Sequence, residues 1–439
     1  MKKSGRILAV SLTLAMLTGL LSGCQQSQSA SSQSSVSKSA DEKVTISFMD
    51  WESTDMDTAV NASMAKFTAE NPNVTVKMTP TPLSNYATKL EEMIQSGSAP
   101  DVFRVGNNWA LQYGAKGVLY DLSSYASKDT DFMNGFYPGY VDHFKVSGKL
   151  YAMPGLINTY GVFYNKALFD AAKVSYPTSS WTYTDLFNAS EKLKNPAKKT
   201  YGLYGDTIYE PFYMGLCSVD NGGSGYADAI YPITKVAADK TNKQGVASYS
   251  KYMADGSFAP ASYDSTNLVS QFESGSVPMM WYGQWAASDI IKNAPNLKWG
   301  YVVNPKGTAN VSATLYDCTG WAVLGTTKHS AEAYKLSKFI VSTAYQDVLP
   351  NFPVAPTAYQ SSSKAYYSAL ANKGHKDVGD AVDAMCNAKE KVPAKFLDTF
   401  ADKATACYTK WNEVYTSKTQ SADIDKTVSN INDVISSSK

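Results

Sequence analysis

From Val44 the chain alternates apolar and polar positions, Val44-Thr45-Ile46-Ser47-Phe48-Met49, as a strand with one buried face does. Met56, Val60, Met64 and Phe67 then recur at helical spacing until Asn71-Pro72, where proline cannot continue a helix. Val74, Val76 and Met78 alternate again, Leu83, Tyr86, Leu90, Met93 and Ile94 mark a second amphipathic helix closed by Ser96-Gly97-Ser98, and Asp101 to Val105 reads as a third strand. This strand-helix-strand-helix-strand order predicts a sheet with helices on its faces. Ligands of such sheets sit beyond the carboxyl ends of the strands. Those ends carry Asp50-Trp51-Glu52 and Gly106-Asn107-Asn108-Trp109.

The middle of the chain repeats the scheme. Gly161 to Tyr164 is strand-like, Ala167 to Ala172 is a short helix, and Thr182 with Asp185 three residues on forms a capping box ahead of Leu186, Phe187 and Leu193. A helix near Leu268 to Phe272, strands at Val277 to Trp281 and Trp299 to Val303, and a helix from Ala331 to Val341 follow. The stretch from Ala381 to Ile435 reads as mostly helical, broken around Pro393 and Lys418-Thr419-Gln420. No repeat of fixed period is present, which sets solenoids and propellers aside.

Composition narrows the function. The 439 residues exceed the length at which a single core stops growing, so at least two lobes are expected. Lys and Arg number 40 against 39 Asp and Glu, which lacks the basic excess of a nucleic-acid binder. Thirty Tyr, 16 Phe and 8 Trp give an aromatic-rich chain with only three His. His143, His329 and His375 have no ligand spacing, so no metal site, no His-based triad and no cofactor is expected; no Walker-type or Rossmann-type glycine motif is present.

At the amino terminus, Lys2, Lys3 and Arg6 precede the uncharged run Ile7 to Leu21, the pattern of a signal peptide over residues 1–23. Its end, Leu21-Ser22-Gly23-Cys24, resembles the bacterial lipobox, which implies acylation of Cys24 and a lipid anchor on the outer face of the membrane. Residues 24–43 then form a tether, in which Gln25 to Ala40 holds 8 Ser and 4 Gln, too polar to pack. Of the remaining cysteines, Cys217, Cys318, Cys386 and Cys407, the pair Cys386–Cys407 is nearest in sequence, and four buried thiols are the alternative.

Several segments, in order, resemble the extracellular solute-binding proteins of ABC importers, in particular the large carbohydrate-binding family. They include Phe67-Thr68-Ala69-Glu70-Asn71-Pro72, Ser96-Gly97-Ser98-Ala99-Pro100-Asp101-Val102-Phe103, Gly117 to Leu122, Gly148 to Pro154, Phe163-Tyr164-Asn165-Lys166 to Asp170, Pro177 through Leu186, Phe272 to Met280, and Gly283-Gln284-Trp285. The resemblance implies an α/β, two-lobed periplasmic-binding-protein-like fold, the Venus flytrap, each lobe a mixed sheet flanked by helices. The first lobe would be 44–154 plus 320–360 and the second 155–319 plus 361–439, with crossings near Pro154-Gly155, Thr319-Gly320 and after Pro356. A small carbohydrate, an oligosaccharide ahead of a monosaccharide, would be trapped by lobe closure and delivered by a monomeric, non-catalytic protein to ABC permease subunits.

A sugar offers apolar C–H faces and a rim of hydroxyls, and calls for aromatic platforms plus planar amides and carboxylates. Trp51 and Glu52, Asn107, Asn108 and Trp109, and Asn158 match family positions that contact ligand. Tyr209-Glu210-Pro211-Phe212 resembles the second-lobe segment that supplies an aromatic stacker, and Asp206, a further candidate contact, sits just upstream. Tyr282, Gln284 and Trp285 occupy the segment whose Trp stacks on sugar, and Trp321 lies at an expected crossing. Trp281 alternates to the other face and, with Trp181, Trp299 and Trp411, is expected to pack. Two readings compete: a glycan-active enzyme using two carboxylates, and the same fold with another cargo, a peptide, polyamine, phosphonate or ferric ion, for which Tyr366-Tyr367 is a faint echo.

Overall fold

The alternating stretch at Val44 forms β1 (Val44–Asp50), with Ile46 and Phe48 fully buried. Ser53 caps the following helix α1 (Thr54–Glu70) by accepting from the Met56 N–H, and Met56, Val60, Met64 and Phe67 face the sheet. β2 (Val74–Pro80), α2 (Leu83–Gln95) and β3 (Val102–Gly106) complete the order expected from the pattern, and helix α3 (Asn107–Ala115) follows β3 directly. The computed structural model describes residues 42–205, 218–223, 234–260, 263–389, 391–393 and 420–437. Cys24, Cys217, Cys407, Trp411 and the segment holding Asp206, Tyr209, Glu210 and Phe212 lie outside them, and with Cys407 the pairing expected for Cys386.

β1 pairs in parallel with β2 and β3. Two strands that the sequence pattern did not mark complete this first sheet: β4 (Ala152–Asn158) and β9 (Thr314–Val323). β9 runs antiparallel to β3 through Thr319–Val323 and antiparallel to β4 through Asp317–Ala322. A short edge strand, β10 (Lys391–Pro393), joins β9 in parallel at Thr314–Tyr316, where only a break in helix was expected. An edge has no partner for the missing N–H of Pro393 to offend.

A single residue, Thr159, separates β4 from the first strand of the second sheet. β5 (Tyr160–Asn165) lies between β8 (Trp299–Val302) and β7 (Met279–Gly283), antiparallel to both, and β6 (Tyr204–Gly205) runs parallel to β7. Phe163 fills its core against Trp299, Tyr301 and Phe272. Helices α4 (Lys166–Ala172), α5 (Tyr183–Leu193, opened by the Thr182–Asp185 capping box) and α6 (Ala286–Asn293) flank it, and His375 stacks on Trp299 at 4.5 Å. Trp181 and Trp281 pack as expected, their indole N–H groups donating to Val303 O and Asn304 Oδ1.

The chain therefore passes between sheets at Thr159, and again between Val302 and Thr314. At the expected crossings, Pro154, Thr319 and Gly320 are ladder-paired inside the first sheet and Gly155 falls at a shift in register, a few residues from these passages. The segment after Val354 runs alongside β4, with Ile157 N–H on Pro356 O and Ala358 N–H on Gly155 O. Asp55 at the start of α1 and Lys292 in α6 form an exposed ion pair at 3.6 Å.

Candidate functional site

Strand direction collects the candidates. β1 and β3 are parallel, β9 runs against β3 with Thr319 opposite Gly106, and β4 runs against β9 with Asn158 opposite Asp317. Residues 50–52, 107–109, 158 and 317–319 thus lie at one end of the first sheet. In the second sheet Tyr160 pairs with Gly283, which places the end of β7, and Trp285 just beyond it, at the same passage. β6 runs parallel to β7, so its carboxyl end, at Gly205, lies toward that end too.

At the first-sheet end a buried guanidinium organises the group. Arg104, on β3, donates through Nε to Thr319 Oγ1 at 3.2 Å, through Nη1 to Asp50 Oδ1 at 3.2 Å, and through a short contact to Glu52 Oε1. Its Cζ lies 4.4 Å from the Trp51 ring centroid, so the cation backs one indole face. Tyr86, whose hydroxyl donates to Arg104 O, meets Trp51 edge-on at 4.7 Å, and Trp109 sits 6.1 Å from Trp51. Trp51 and Trp109 are half-buried, whereas Asn107 and Asn108 are buried, and the Asn107 amide is bonded to His143 Nε2 at 2.8 Å.

Three carboxylates surround this one cation. Burial pushes Asp50 up to about 6 against the pull of Arg104, and burial with the Asp50 and Glu52 charges pushes Asp57 up to about 7. Both groups titrate near 4 in an unfolded chain. The folded protein therefore keeps protons that the unfolded chain has released. The stability these groups contribute is full below about pH 4 and is lost as pH rises through 6 and 7. Asp57→Asn removes the charge, and at pH 8 the variant is expected to exceed the wild type by on the order of 1–3 kcal/mol in urea denaturation, with near-equality at pH 4. Equal stabilities at pH 8 would show that the Asp57 charge carries no cost.

At the second-sheet end, Trp285 is half-buried, edge-on to Tyr160 at 5.2 Å and beside Tyr282 at 5.7 Å. Asn158 donates through Nδ2 to Asp317 Oδ2 at 3.2 Å, and the Tyr160 hydroxyl donates to the same oxygen at 3.0 Å. Two expected contacts are drawn inward. Gln284 has no exposure: its Oε1 accepts from Thr159 N–H at 2.6 Å and its Nε2 donates to Ile157 O and Val354 O, so it bolts the passage between sheets. Trp321 also has none, because it stands in the middle of the first sheet against Phe48 at 4.9 Å. Arg104, Asp317 and Tyr160 were not singled out from the sequence. A lone Arg or Asp within an apolar strand was the available signal, since such a group must find a partner.

Among the described residues, no group of three or more His, Cys, Asp or Glu could hold a metal ion, and no helix is long and apolar enough to cross a membrane. Tyr366 is fully buried against Tyr367, in packing rather than at a ligand.

Two mixed sheets flanked by helices, linked at Thr159 and turning their aromatic loop ends toward that link, define a two-lobed protein of the Venus flytrap class. Residues 62–372 match the family described as bacterial extracellular solute-binding protein, and the chain belongs to that family. A multiple sugar-binding protein of Streptococcus mutans is 27% identical over 354 residues, 78% of this chain and 79% of its own. A binding protein of Brucella abortus is 24% identical over 285 residues, 62% of this chain and 66% of that protein. Among solved structures, an ABC substrate-binding protein of Listeria monocytogenes in complex with cycloalternan is 24% identical with a TM-score of 0.75, covering 90% of this chain and 100% of the other. A maltose-binding protein of the same organism, in complex with maltose, is 19% identical with a TM-score of 0.71, over 90% and 98%.

Proposed function

We propose that this chain is the substrate-binding component of an ABC importer and captures a carbohydrate, an oligosaccharide, between the loop ends of its two sheets. The observation that carries this reading is the placement of three half-buried indoles, Trp51 and Trp109 on one side and Trp285 on the other, at sheet ends that meet at one passage. Indole faces suit the C–H faces of sugar rings, and the Glu52 carboxylate and Asn158 amide suit hydroxyls. The name of the Streptococcus relative and the sugars held by the Listeria structures favour the same cargo. Contacts made by both lobes would favour the closed form and so supply the differential affinity that closure requires. The protein works as a monomer, without chemistry of its own, and hands its cargo to permease subunits.

A thermal-shift screen of mono- and oligosaccharides tests the reading. A cognate sugar at a hundred times its Kd should add about 2.7 kcal/mol of stability. A melting temperature raised by a peptide or a metal ion, and by no sugar, would overturn it.

The same reading places the protein on the outer face of the membrane through acyl chains on Cys24, with residues 24–43 as tether. Cys24→Ser is expected to move the protein from the membrane fraction to the soluble fraction. Retention in the membrane would end the lipid-anchor assignment.

A further inference from the structure

One carboxylate oxygen holds both sides of the passage between the sheets. Asp317, on β9 and 4% exposed, receives Asn158 Nδ2 and the Tyr160 hydroxyl on Oδ2. Asn158 ends β4 and Tyr160 opens β5, so the two donors flank Thr159, the residue on which the chain changes sheet. On the opposite side Gln284 grips the Thr159 N–H and hydroxyl, and its chain neighbour is Trp285. We propose that Asp317 is a positioning residue of the binding site: through Tyr160 it fixes the Trp285 ring, and through Asn158 it sets which amide atom meets the ligand. The proposal rests on the sugar-binding reading of Trp285 and Asn158.

The chemistry follows from what each group can do. A carboxylate only accepts, so Asn158 must turn its NH2 to Asp317 and present Oδ1 on the other side of the amide. A ligand hydroxyl is then met there by an acceptor and must donate. Tyr160 is 2% exposed, and its hydroxyl bond to Asp317 fixes where the tip of the ring lies. That ring is the edge against which Trp285 stands, at an interplanar angle of 89°. Asp317 therefore acts on the ligand through two other residues, and both actions originate at the link between lobes.

The test compares the full chain with Asp317→Asn, Tyr160→Phe and their double variant. The indole N–H resonance of Trp285, identified by its loss in Trp285→Phe, is read without ligand. It is expected to shift in Asp317→Asn and in Tyr160→Phe, with no further shift in the double variant. An unchanged resonance in Asp317→Asn overturns the proposal. In titrations with maltotetraose, Asp317→Asn is expected to bind about tenfold more weakly, Tyr160→Phe by less, and the double variant no more weakly than Asp317→Asn, because the Tyr160 path already runs through Asp317. A double variant weakened about a hundredfold would show that the two residues act independently and would also overturn it. The controls separate the two readings. If Trp285→Ala binds maltotetraose like the wild type, or the wild type does not bind it, the sugar site fails for that probe. The resonance alone then decides on Asp317. Phe at 160 keeps the ring edge, so a folding defect in Asp317→Asn does not remove the test.

Discussion

Replacing Trp285 by alanine is expected to weaken carbohydrate binding by roughly thirtyfold to a thousandfold, the range of about 2–4 kcal/mol that a central aromatic anchor carries. The indole is held on several sides before any ligand arrives. Tyr160 meets it edge-on, Tyr282 flanks it, and a Cβ built on Gly283 would lie 2.0 Å from its Cζ3. Only glycine at 283 leaves room for the ring, so the backbone of β7 itself forms part of its seat. A platform fixed in this way loses little entropy on binding. Gly283→Ala supplies the complementary experiment: it keeps the indole but pushes it off its seat, and a comparable loss is expected. Calorimetric titration with the sugar found by thermal shift measures both. Unaltered affinity in Trp285→Ala would remove this residue from the site.

Arg104→Met is expected to be the most damaging single change to stability, by about 3–5 kcal/mol at neutral pH, because it strands buried carboxylates. Asp50 has no exposure and Glu52 little, and Arg104 is the cation paired with both. Methionine replaces the stem but not the fork that also reaches Thr319 across to β9. The loss should depend on pH. With Arg104 gone, Asp50 is relieved by taking up a proton, so the deficit relative to wild type should shrink at pH 5 and grow at pH 8. Urea denaturation at the two pH values measures it. A deficit equal at both would mean that Arg104 contributes by packing alone. Arg104→Lys, which keeps the charge and loses the planar fork, should fall between the two.

β1, α1, β2 and α2 were legible because each leaves part of one face exposed, so period-two and helical spacings stood out, and β3, buried from Val102 to Val105, was legible as a short run bounded by Pro100 and Gly106. β4 and β9 were not. Ala152 to Ile157 are buried on both faces of the strand, which erases alternation, and Pro154-Gly155 reads as a break. The site was half legible for a related reason. Trp51 and Trp109 could be placed because they follow readable strands, whereas Asp317 lies in a strand whose partners come from remote parts of the sequence. Gln284 and Trp285 are adjacent and look equally suited to sugar. One points into the hinge and the other stays half-buried, and that choice is made by the pairing of Tyr160 with Gly283. Trp321 shows the converse: an indole beside a crossing is core when its strand is central in the sheet.

The strand order of the first sheet also governs when the protein can finish folding. β1 to β3 come from residues 44–106, yet β3 lacks its other neighbour until β9, residues 314–323, is present. Contacts so distant in sequence carry a large loop-closure cost and form late. A nascent chain emerging from its amino terminus therefore holds an incomplete first sheet until about three quarters of it has been made. For a precursor bearing the export signal proposed here, that delay is useful, since the topology itself keeps the chain threadable through a translocation pore and reserves completion for the far side.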